Sequence, residues 1–70
     1  MMPLSMAEKE KEFIIRRIGG NPEVKKHLED LGFHIGGTVS VVSKLGDNVI
    51  VKVKESRVAV SEELARKIMV

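Results

Sequence analysis

The run NPEVKKHLEDLGFHIGGTVSVV, from Asn21 to Val42, decides the fold. Asn21 is a residue type whose side-chain oxygen accepts from a free N–H of a first helical turn. Pro22 has the fixed φ that suits the first helical position, and Glu23 puts negative charge at the positive end of the helix dipole. Val24, Leu28 and Leu31 recur at i, i+4 and i+7 and make one apolar stripe. Lys25 with Glu29, and Lys26 with Asp30, have the spacing of ion pairs on the exposed side. Gly32 stands where a helix stops in a left-handed conformation that costs a residue bearing a Cβ about 1–2 kcal/mol. The helix so delimited has about three turns. Beyond a Gly36-Gly37 turn the pattern changes to period two at Thr38, so a strand follows.

Upstream, Glu12 to Ile18 (EFIIRRI) concentrates β-branched and aromatic residues and ends at Gly19-Gly20, which predicts one strand across the whole segment. Ser5, followed three residues later by Glu8, has the spacing of a capping box for a short helical turn with few apolar residues to bury. Downstream, Val39 and Val41 oppose Ser40 and Val42, and a turn is expected around Leu45 to Asn48. The next strand then places Val49, Val51 and Val53 on one face and Ile50, Lys52 and Lys54 on the other. Arg57 to Val60 read as a short strand, Ser61 as the cap of a helical turn beginning at Glu62-Glu63, and Ile68 to Val70 as a closing strand. The expected architecture is mainly β with an inserted helix. It is a small, strongly bent barrel in a single domain over residues 1–70, because so short a chain cannot build a sandwich and a lone two-stranded ribbon is unstable.

A chain of 70 residues has a net stability on the order of 0.05–0.15 kcal/mol per residue, which leaves little surplus for a buried, strained catalytic site. It has no cysteine, hence no disulfide framework, thiolate metal site or cysteine nucleophile. The opening MMPLSMAEKEKE lacks a basic start followed by an apolar stretch, so it does not read as a signal peptide, and no apolar run approaches a bilayer span. A soluble cytoplasmic protein without membrane insertion is expected. Lys and Arg outnumber Asp and Glu by 12 to 10 with both signs interleaved, which favours solubility and weak attraction to acidic surfaces over a dedicated nucleic-acid arm.

Three constellations bear on chemistry. Gly19-Gly20 precedes a helix, as phosphate-binding loops do, but Asn21 would occupy the free N–H groups, Pro22 removes one and Glu23 repels an anion, so a tight turn is the reading. Glu23, His27 and Asp30 recur at i, i+4 and i+7 with His34 just past the helix stop, and such oxygen and imidazole donors suit a divalent metal ion, although a solvated helix face commonly carries the same mixture. Arg16, Arg17, Lys25 and Lys26, with basic residues further on, offer a surface to an acidic partner. Phe13 and Phe33 are the only aromatic residues and are expected to pack internally, so base stacking has little to work with and a nucleic-acid partner is not expected. No Ser, His and Asp arrangement has a recognisable spacing, and two histidines give acid–base catalysis few candidates.

The segments PLS, FIIRRIGG, KKHLEDLGFHIGGTVSVV, LGDNVIVKV and RVAVSEELARKIMV together make a pattern that resembles the FeoA family across essentially the whole chain. Its most specific part is HLEDLGFHIGGTVSVV, in which Leu28, Leu31, Gly32, Phe33, Gly36 or Gly37, Val39 and Val41 take the matching positions. Glu and Lys stand before the first strand where the family usually has Gly, and Asn48 stands in the hairpin where Pro is common. The resemblance implies a Src-homology-3-like barrel with an inserted helix and a short C-terminal helical turn. It also implies a non-enzymatic, cytosolic accessory role in ferrous iron uptake, acting on the cytosolic GTPase part of a membrane iron transporter. Related domains are attached to metal-dependent repressors, so a metal-ion-binding regulatory module is one alternative, and a small barrel that binds nucleic acid is the other.

Overall fold

The computed structural model describes all 70 residues, and the helix read from the sequence spans Pro22–Asp30 (α1). Asn21 Oδ1 accepts from the Val24 N–H at 2.9 Å, which satisfies one of the free donors of the first turn. At the other end Gly32 takes φ +111°, its N–H donates to the Glu29 carbonyl at 2.9 Å, and the Phe33 N–H donates to the Leu28 carbonyl at 3.0 Å. That pair of bonds is the Schellman arrangement, and its apolar seal is Leu28 with Phe33, both fully buried. The stop therefore does two things at once: it satisfies orphan carbonyls and seats Phe33 in the core. Lys26 pairs with Asp30 at 3.6 Å as its spacing predicts. The expected Lys25–Glu29 pair is not formed, and the ion pairs present are Lys11–Glu8, Lys26–Asp30 and Arg66–Glu62.

The strands are Glu12–Ile14 (β1), Arg17–Ile18 (β2), Thr38–Leu45 (β3), Asn48–Val53 (β4), Ser56–Ser61 (β5) and Ile68–Met69 (β6), with a short helix at Glu62–Ala65 (α2) between the last two. An antiparallel four-stranded sheet has the order β1-β3-β4-β5, and β2 pairs antiparallel with β6 in a second, two-stranded sheet. The inward residues Val39, Val41, Val49, Val51, Val53 and Val60 are buried. Their alternation is the one predicted, because the period-two pattern sets both the face and the register. The shift in register between Val41 and Ser43 marks a bulge at Val42 that increases the local bend. Ser61 caps α2 through a bond from the Leu64 N–H at 3.2 Å.

Two expectations are corrected. The segment Glu12–Ile18 is not one strand but two, β1 and β2, broken at Ile15-Arg16. The Ile15 N–H donates to the Gly37 carbonyl at 2.9 Å and the Arg16 N–H donates to the Met69 carbonyl at 2.8 Å, so the chain leaves the large sheet and joins the small one within two residues. This is the corner that closes so small a barrel. The second correction lies at the N-terminus. The helical turn is a 3-10 turn over Leu4–Met6 with Pro3 at its cap position and no side-chain cap. Ser5 is buried, its carbonyl accepts from Lys44 Nζ at 2.6 Å, and Glu8 pairs with Lys11 at 3.7 Å. Far from lacking apolar residues, this turn supplies Leu4 and Ala7 to the core. Met2 and Val70 exchange both backbone hydrogen bonds at 2.8 Å, which joins the two ends of the chain.

Candidate functional site

Charged side chains on α1 divide into paired and unpaired. Lys26 and Asp30 neutralise each other, whereas Lys25, exposed on the same helix, has no ion-pair partner. Lys25 instead lines a recess of about 360 Å³ with Ile18, Glu29, His34 and Ile35. Ile18, at the end of β2, is nearly buried, while Ile35 projects into solvent with 69% of its surface exposed. The recess thus joins a helix face, a strand end and the loop after α1, combining an apolar contact with one free cation and an imidazole.

The loop holding Ile35 is fixed by its own backbone. The Gly37 N–H donates to the His34 carbonyl at 2.9 Å, the Gly36 N–H to the Ile15 carbonyl at 2.8 Å, and the Ile15 N–H returns to the Gly37 carbonyl at 2.9 Å. Ile15, at the β1–β2 corner, is therefore stitched through both its N–H and its C=O to Gly37 and Gly36, and Ile35 is held outward with little loop entropy left to lose on binding. The recess is therefore flanked by an exposed, preorganised apolar side chain and by Lys25, with Glu29 and His34 as its other polar groups.

Arg16 and Arg17 are exposed at the start of β2, with Arg17 directly before the recess residue Ile18. Glu23, His27, Asp30 and His34 are all exposed too, and no three His, Asp or Glu side chains of the chain converge as a metal-binding group. The proposed metal-ligand set thus does not assemble into the three or four donors that a tetrahedral zinc site requires. The recess does bring together Lys25 from the partner-binding candidates and His34 from the metal candidates. Sequence reasoning passed over Ile35, although an isolated apolar residue between His34 and the Gly36-Gly37 turn belongs to no periodic face and was a usable signal. No helix is long and apolar enough to cross a membrane.

Residues 2–70 match the model of the FeoA domain family. A protein of Methanocaldococcus jannaschii named "Putative Fe(2+) transport protein A" is 33% identical over 70 residues, covering 100% of this chain and 85% of its own. Among solved structures, the crystal structure of an iron uptake regulatory protein (FeoA) superposes with a TM-score of 0.87 at 25% identity, covering 96% of this chain and 89% of that one. The zinc-complexed FeoA of Stenotrophomonas maltophilia, described as a prokaryotic SH3 domain protein, superposes with a TM-score of 0.78 at 24% identity, covering 99% and 88% of the two chains. The fold is accordingly a small barrel of the Src-homology-3 type.

Proposed function

Because the chain belongs to the FeoA family, we propose that it is a non-enzymatic cytoplasmic accessory of ferrous iron uptake that docks on the cytosolic GTPase part of a membrane iron transporter. The observation that carries this reading is the exposed, backbone-fixed Ile35 beside the unpaired Lys25. Ile35 supplies the desolvated anchor, while Lys25, Lys26, Arg16 and Arg17 steer an acidic patch of the partner toward it. The absence of a nucleophile–base pair and of a phosphate cradle favours stimulation or restraint of the partner's GTP turnover over turnover by this chain.

The experiment is an NMR titration with the transporter's cytosolic domain. The expected shifts centre on Ile35, Lys25 and Ile18, and Ile35→Ser weakens the complex by about tenfold or more, as loss of a central apolar anchor does. Unchanged spectra at saturating partner sink the proposal. A divalent ion is the second reading, supported by the zinc complex of the Stenotrophomonas protein and by Glu29 and His34 sharing the recess. Calorimetry with ferrous, manganous and zinc ions decides it, since equal weak heats from the wild type, His27→Ala and His34→Ala leave no site.

A further inference from the structure

The β4–β5 hairpin carries a second surface that the docking reading does not use. Its two-residue turn is Lys54-Glu55, and the register pairs Val53 with Ser56, Lys52 with Arg57 and Ile50 with Ala59. The pair flanking a two-residue turn exchanges both backbone hydrogen bonds, and the pattern alternates from there. Ser56, Val58 and Val60 therefore bond to β4, while the N–H and C=O groups of Arg57 and Ala59 point away from it. β5 is the last strand of its sheet, neither residue has any other backbone partner, and both are exposed. An open edge of this kind is a template for another strand.

The charge beside that edge specifies what fits it. Lys52 and Arg57 stand directly opposite each other on the outer face, an arrangement of like charges that weakens a sheet unless something anionic lies over it. Lys54, in the turn beside them, adopts φ +57°, a conformation for which Gly or Asn is the inexpensive choice. None of the three cations has an ion-pair partner, although Glu55 lies in the same turn and Glu12 ends the row Glu12–Ser40–Lys52–Arg57 across the sheet. Glu12, two strands from Lys52, and Glu55 line one recess with Lys52 and Lys54, whereas Arg57 lies outside that recess and is the cation on the open-edged strand itself.

We infer that β5 accepts an extended acidic peptide as an added antiparallel strand, its backbone bonding to Arg57 and Ala59 and its carboxylates lying beside Arg57, with Lys52 and Lys54 adding to the positive field around it. A second copy of the chain is a poorer occupant. Pairing of β5 with itself about a two-fold axis keeps the outer faces on one side and would gather both sets of Lys52, Lys54 and Arg57 on one sheet.

The test uses the full chain and the blocked heptapeptide Thr-Glu-Val-Glu-Val-Glu-Thr, followed by NMR and amide hydrogen exchange. At about nine-tenths occupancy, exchange proceeds only from the free fraction, so the Arg57 and Ala59 amides slow about tenfold. Arg57→Glu, at an exposed position that leaves the remaining spectrum unchanged, weakens binding by about tenfold. An analogue N-methylated at its glutamates, the residues that stand opposite Arg57 and Ala59, keeps the charge and loses the binding. Equal binding of that analogue overturns the inference in favour of plain surface electrostatics. Shifts confined to α1 and Ile35, no protection at Arg57 and Ala59, or sedimentation of the free protein as a dimer through β5 overturn it as well.

Discussion

Leu4 is the residue whose replacement most directly tests how this small barrel is closed. It sits in the 3-10 turn, has 0% of its surface exposed and belongs to the same core as Leu28, Phe33 and Ile68. Truncation to Ala removes a fully buried isobutyl group and should cost about 2–5 kcal/mol, the higher end if the backbone bonds between Met2 and Val70 keep the site from collapsing. For 70 residues the whole stability is on the order of 3.5–10 kcal/mol, so a large share of it rests on this side chain. Near the midpoint the unfolding entropy is about 0.15 kcal/mol per kelvin for this length, and each kcal/mol lowers Tm by about 7 °C. The Leu4→Ala protein should therefore melt about 14 °C or more below the wild type. Met6, two residues on and 72% exposed, is the internal control: Met6→Ala should shift Tm by no more than about 3 °C. The measurement is thermal unfolding by circular dichroism with a urea series, in which an unchanged m-value shows that stability alone has altered. Equal small shifts for both variants would refute the reasoning, because the N-terminal turn would then lie outside the cooperative core.

Three further outcomes follow from the same geometry. Asn21→Ala removes the acceptor for the Val24 N–H and should cost about 1 kcal/mol in urea unfolding, whereas Asn21→Ser should recover most of it. Gly20→Ala and Gly32→Ala both force a Cβ onto a positive φ, but the Cβ at position 20 would meet Val24 Cγ1 at 2.9 Å while that at position 32 meets Val53 Cγ1 at an ordinary 3.6 Å. The Gly20 variant should therefore be the less stable of the two by about 1 kcal/mol or more, read as a difference in urea midpoints at constant m. The double variant Lys25→Glu/Lys26→Glu should unfold within about 0.5 kcal/mol of the wild type, because the Lys26–Asp30 pair is exposed. Surface plasmon resonance on the transporter's cytosolic domain should show its association rate falling and losing its salt dependence.

Most of the scaffold is legible in the residue pattern because it obeys local rules. The α1 boundaries follow from Asn21, Pro22 and Gly32, and the inward faces of β3 and β4 follow from alternation that a one-residue slip would invert. The two corrected segments fail for one shared reason. The break at Ile15-Arg16 exists because its two partners lie far away in sequence, Gly37 just before β3 of the large sheet and Met69 in β6 of the small one. Leu4 is buried because the chain ends meet. Neither event leaves a trace in the periodicity of its own segment, since both are decided by contacts between residues far apart along the chain.

The surfaces obey a different logic. Lys25 and Lys26 are neighbours of one residue type on one helix, yet Asp30 neutralises one and leaves the other free over the recess. Their sequence spacing offered a partner to each, so only side-chain geometry separates them. Ile35 shows the converse. The sequence marks it as an apolar residue on no periodic face but not as one held outward, because its fixation comes from three backbone bonds that involve Ile15, His34, Gly36 and Gly37 but not Ile35. The corner that defeats a strand assignment at Ile15 is thus the same structure that presents Ile35. A variant that straightened this corner would loosen the anchor together with the barrel, and for that reason Ile35→Ser, which leaves the corner bonds in place, is the sharper probe of docking.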